Sequence, residues 1–187
     1  ANGAFLSAAN TLALATNSTQ RLTITSDGKV NFGSVARVEA DGTFKAPHGS
    51  ASAPAYNFLN DNDNGMFRVT TNTIGFSTAA TERLRIDSSG KVGIGTTSPN
   101  NPLHVHQSGA GATIIQVTNG DTGSGATDGF QFGVNSSEQA FFHMREAAPI
   151  LFTINGTERM RIDSSGNVGI GTTSAFNSAR LSVTGGL

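Results

Sequence analysis

Two histidines one residue apart, His104 and His106, are the pair in this 187-residue chain best spaced for metal chemistry. Alternate residues of a strand share a face, so both imidazoles would project the same way. Three such pairs around an axis would supply six nitrogens, an octahedral set for a divalent transition metal. A comparison within the chain counts against that role. Leu103-His104-Val105-His106 aligns with Leu181-Ser182-Val183-Thr184, so the histidines take the positions of Ser182 and Thr184, outward from an apolar pair. No metal and no cofactor is therefore expected. Asp61 to Gly65 has the composition of a calcium loop, but its glycine comes one position early and no glutamate closes it, which leaves a polar turn. Gly123 to Asp128 has the glycines of a dinucleotide fingerprint, yet Asp128 stands where the last glycine belongs. A strand beginning Phe130-Gln131-Phe132 follows where a helix is needed, so a surface loop is expected. Glycan hydrolysis would want two converging carboxylates. Asp87, Asp163, Glu82 and Glu158 recur with a repeat, as struts do, with Glu82 and Arg83 placed to bridge strands or chains. Only Glu138 and Glu146 stand outside it. His48 and His143 are isolated and cysteine is absent, so no nucleophilic set assembles and no enzyme is expected.

The elements that must carry these residues are set by one stretch, T-E-R-L-R-I-D-S-S-G-K-V-G-I-G-T-T-S from Thr81 to Ser98. It returns from Thr157 to Ser174, changed only at Leu84/Met160 and Lys91/Asn167, and more loosely from Thr19 to Gly33. Each copy predicts a β-hairpin. Leu84 and Ile86 alternate with Arg83 and Arg85, and Val92 and Ile94 with Gly93 and Gly95; Met160, Ile162, Val168 and Ile170 are the counterparts. The apolar set is expected to face the core and Arg83, Arg85, Arg159 and Arg161 to lie outside or at chain boundaries, because a slip of one residue would exchange the two faces. Between the arms, Asp87 and Asp163 supply a turn acceptor and Gly90 and Gly166 the left-handed backbone of the bulge that follows; the first copy has Thr25-Ser26-Asp27-Gly28 there.

The string R-[LM]-R-I-D-S-S-G-[KN]-V-G-I-G-T-T-S resembles the repeat of bacteriophage tail-fibre and related virion fibre proteins. The segments N-T-I-G-F-S-T-A-A and A-P-I-L-F-T-I-N-G resemble what leads into that repeat, and P-L-H-V and A-R-L-S-V-T-G what opens the next unit; together these cover about half of the chain. The resemblance implies an elongated homotrimer of interwoven β-structure, a shaft that holds a receptor-binding tip away from the particle. It implies other virion or tail proteins as partners and a place in the virion, as tail or head fibre, after assembly in the host cytoplasm. Some phage fibres bind iron through an H-x-H motif, which is what the resemblance adds for His104 and His106. The alternative reading is a binding module, in which loops 60–65 and 119–129 contact a host-surface glycan or protein with Phe67 and Phe130 as the aromatic platform.

Composition points the same way. The chain holds 23 Gly, 12 Phe, one Tyr and no Trp, rich in turn residues and poor in the bulk that fills a core. Units of about 60 to 75 residues are marginal alone, and with no disulfide available a structural metal or oligomerisation is left, of which oligomerisation fits a repeated strand face better. A net charge of -1 with both signs interspersed gives no polyanion-binding surface, so nucleic acid is not an expected partner. No apolar run reaches the length of a membrane span, so no membrane insertion is expected. The start lacks a secretory pattern and an initiator methionine, as a processed product or an internal piece does. The fold class expected is all-β, of successive hairpin modules with essentially no helix; Ser137 to Glu146, the nearest to a helix, favours strand. Module boundaries are expected at 1–47, 48–102, 103–179 and 180–187, with a joint over Ala46 to Pro54.

Overall fold

The computed structural model describes residues 2–33, 36–174 and 180–184. Residues 175–179 and 185–187, the expected ends of the third and fourth modules, lie outside the described residues. Among the described residues the regular structure is entirely β-strand. The chain divides into two compact units, Ala1–Ser108 and Gly109–Leu187.

The first unit opens with a six-stranded antiparallel meander: β1 (Gly3–Ala8), β2 (Thr11–Thr16), β3 (Thr19–Ile24), β4 (Val30–Phe32), β5 (Ala36–Val38) and β6 (Phe44–Lys45). The expected joint contains a small hairpin, β7 (Gly49–Ser50) with β8 (Ala53–Pro54). A second six-stranded sheet follows, made of β9 (Tyr56–Phe58), β10 (Asp61–Thr70), β11 (Thr73–Thr78), β12 (Thr81–Ile86), β13 (Val92–Ile94) and β14 (Leu103–Val105). Its last pair is parallel. The second unit has a three-stranded sheet, β15 (Thr113–Val117), β16 (Phe130–Val134) and β17 (Ala140–Met144), so the segment around Phe141 is strand as expected. It closes with β18 (Ile150–Ile154), β19 (Thr157–Ile162), β20 (Val168–Ile170) and β21 (Leu181–Val183), again with a parallel last pair.

Two features differ from the sequence-based expectation. Asp61 to Gly65 belongs to strand β10; the turn sits one step earlier, at Asn60 with φ of 68°, and the register shift between Asp61 and Gly65 absorbs the polar residues as a bulge. Asn64 stays in the strand because its side-chain oxygen accepts a bond from Ala79 N at 2.7 Å, across the sheet. The second difference is the place of Leu103 to Val105 and Leu181 to Val183. Both segments are last strands of the sheet that contains the preceding repeat, so the division at 102/103 falls inside a sheet and the compact unit continues to Ser108.

Candidate assembly surface

The hairpins form in the expected register. Leu84 faces Ile94 and Ile86 faces Val92, as Met160 faces Ile170 and Ile162 faces Val168. The turn does what its residues predict. Asp87 Oδ1 accepts from Ser89 N at 2.8 Å and Lys91 N at 2.9 Å, and Asp163 Oδ1 does the same for Ser165 and Asn167. These bonds hold the Asp163 carboxyl below the usual carboxylate range, chiefly through the backbone N–H of Asn167. Gly90 and Gly166 have φ of 79° and 81°, the left-handed region that a β-branched residue avoids.

Extending the register across each sheet aligns the apolar residues in continuous rows. In the second sheet one row runs Tyr56, Met66, Phe76, Leu84, Ile94, Val105, and its neighbour Ile74, Ile86, Val92, Leu103. In the first sheet, Leu6, Leu12, Ile24, Val30, Val38 and Phe44 form the equivalent. In the last, Phe152, Met160, Ile170 and Val183 do so.

These rows are not buried within a single chain. Ile86 and Ile94 are 40 % and 41 % exposed, Leu84 and Val92 are half-buried, and Met160, Ile162, Val168 and Ile170 follow suit. The buried positions are the small residues between them. Ala13 and Ala15 are covered while Leu12 and Leu14 are open, Thr73, Gly75 and Ser77 are covered while Ile74 and Phe76 are open, and the same holds for Gly93 and Gly169 between their aliphatic neighbours. Among the described residues, the buried hydrophobics are only Ala13, Ala15 and Phe67.

The arginine face is correspondingly covered, which corrects half of the expectation for it. Arg83 and Arg159 are exposed, as expected. Arg85 and Arg161 are largely enclosed, because each guanidinium pairs with the glutamate three residues earlier, Arg85 Nε to Glu82 Oε1 at 2.5 Å and Arg161 Nε to Glu158 Oε1 at 2.6 Å. Glu82 thus pairs with Arg85 and not with Arg83. Each arginine also donates to the loop beyond the hairpin, Arg85 Nη1 to Thr97 O at 2.7 Å and Arg161 Nη1 to Thr173 O at 3.1 Å. Glycine beneath makes this possible: a Cβ on Gly93 would lie 2.6 Å from Thr96 O. The clip folds the Thr96–Ser98 loop back and returns the chain as the parallel strand β14. In the first copy Thr23 faces Asn31 where Arg85 faces Gly93, and the chain there continues antiparallel into β5.

His104 lies on this covered face, opposite Gly93, and Ser182 opposite Gly169; His104 is half-buried and Ser182 buried, so neither points outward as expected. The rings of His104 and His106 are 6.1 Å apart. No third acid or histidine joins them among the described residues. The loop over 119–129 is closed on itself, with Asp128 Oδ2 accepting from Gly125 N at 2.7 Å and Gln116 Nε2 donating to Gly125 O and Asp128 O, both at 2.8 Å. Glu146 Oε1 accepts from Gly129 N at 2.9 Å, a strut at the loop's base. Glu138 sits in the turn before β17. Phe67, expected as an aromatic platform, is buried because its ring covers Gly75; Phe130 instead stacks with Phe132 and Phe142. Comparison with known proteins finds no family model that matches the chain and no curated protein that matches it.

Proposed function

We propose that the chain is a structural segment of a virion fibre, a homotrimeric shaft that positions a receptor-binding tip for host attachment. The observation that carries this is the inverted burial. A strand normally covers its large apolar side chains and leaves small polar ones wet, since burial of a Leu, Ile, Val or Phe side chain is worth about 1.5–3 kcal/mol. Here the rows of large residues stay open or only half-covered in three of the sheets, and a run of exposed apolar side chains of this kind marks an interaction surface. Copies of the same chain present the same rows, so symmetric association lets them cover each other. The resemblance of the repeat to phage fibre sequences supplies the setting: the virion, with other tail or head proteins at the ends of the segment. The role is mechanical, with no catalytic step.

Light scattering coupled to size exclusion tests this directly. Three chains per particle is the expected result. A stable monomer at micromolar concentration, with these rows still facing water, would sink the proposal.

A further inference from the structure

A groove in the first unit brings together cationic side chains at the edge of the open apolar rows. It encloses about 630 Å³, within the range of small-molecule sites, and is bordered by the end of the first sheet, the linker over 46–48, and strands β10 and β11. Arg37 and Lys45 stand on one wall and Arg68 on the other. Glu39 binds Arg37 Nε at 2.7 Å and Lys45 Nζ at 2.9 Å, so one carboxylate is shared by two of the three cations. Arg68 has no carboxylate within ion-pair distance among the described residues. Its guanidinium is nevertheless held in place, by Nη1 to His48 Nε2 at 2.9 Å, Nε to Thr70 O at 3.3 Å and Nη2 to Thr71 Oγ1 at 3.4 Å. The linker is fixed to the same residue, Arg68 N donating to His48 O at 2.8 Å. The groove also has an apolar side formed by Tyr56 and Ile74, and an amide, Asn31.

We propose that this groove binds a carboxylate-bearing saccharide. A preoriented arginine with no acidic partner, backed by two partly neutralised cations, calls for an anion of carboxylate geometry. A free inorganic ion would use those groups and leave the rest of the space empty. A sugar acid fills it: the C–H face of the ring lies on Tyr56 and Ile74 and the hydroxyls reach Asn31. The groove borders the assembly surface, since Tyr56 and Ile74 belong to the open rows and Arg68 faces Ile74 in register, so binding requires that the groove stay accessible in the assembled trimer.

Calorimetric titration of the full chain in its native oligomeric state, with trigalacturonic acid as the probe, tests the assignment. Binding in the range of roughly 0.1–1 mM is expected, weakened at least about tenfold when the probe is fully methyl-esterified or when Arg68 is replaced in Arg68→Gln. Should Arg68→Gln fail to fold, Lys45→Gln decides, its side chain being half-exposed and outside the Arg68 contacts; a loss of at least about threefold is expected there. Equal affinity for acid and ester would overturn the proposal, as would unchanged affinity in the deciding variant. So would full displacement of the probe by an equal concentration of inorganic sulfate, or no binding up to about 10 mM, the result if a second copy fills the groove.

Discussion

Individual side chains in this protein carry more of the hairpin geometry than composition suggests, and their ionisation gives a direct test. Lys29 lies 2.5 Å from Asp27 and, by that bond first, holds the Asp27 carboxyl down to about 2. Glu158 is lowered by Arg161 and Asp163 by its turn amides. A carboxyl lowered in the folded state binds its proton more readily when unfolded, so its contribution is complete above the unfolded value of about 4 and lost as pH falls through the folded one. The melting midpoint is therefore expected to hold from neutral pH to about 4.5 and to fall steadily toward pH 2, and Asp27→Asn should flatten part of that fall. Calorimetry across that range checks both. At Ala79 and Ala80, φ is 49° and 57°, a primed turn that the other copies make with Asn17-Ser18 and Asn155-Gly156. Alanine is strained there, so Ala80→Gly should raise the melting midpoint by roughly 2–4 °C, the strain relieved outweighing the entropy glycine adds to the unfolded chain.

At the scale of elements, the repeat is a hairpin plus a return strand, and only the hairpin was legible in the sequence. Period-two alternation and the D-S-S-G turn fixed the register of Leu84 against Ile94 because turn length and strand pleat leave no second solution. The return was not legible. Arg85 alternates with Leu84 and Ile86 and reads as a solvated residue; only the absence of a side chain at Gly93, paired opposite it, lets the guanidinium fold down onto Thr97 O. Arg85→Gln, which the alternation alone would make silent, is expected to lower the melting midpoint by roughly 2–4 °C and to speed exchange of the His106 amide, which donates to Ile94 O at 2.9 Å in the parallel pair. Hydrogen exchange reads the second effect separately from the first. Asp61 to Gly65 misled for the opposite reason. Turn-type composition there serves a bulge, in which the Asn64 side chain and the Asp63 carbonyl accept bonds from the Ala79-Ala80 turn.

For the whole molecule, the all-β class was legible and the core was not, since the large side chains have little to pack against within one chain. Phe67, read as a surface aromatic, is one of the few that is buried. Ile86→Asp is the sharpest test at this scale. In an isolated chain a 40 % exposed position tolerates a carboxylate with little loss, whereas across a symmetric interface it places several charges in apolar surroundings at several kcal/mol each. Loss of the trimer peak in light scattering is the expected outcome; an unchanged particle mass would remove the apolar rows from the interface. The inverted burial also bears on how such a chain comes into being. In the proposed trimer the large side chains would be left for other copies, a newly made chain would have little to gain by folding before it meets them, its melting midpoint should climb with protein concentration, and the step most exposed to aggregation and proteolysis would be the wait for the second and third copies.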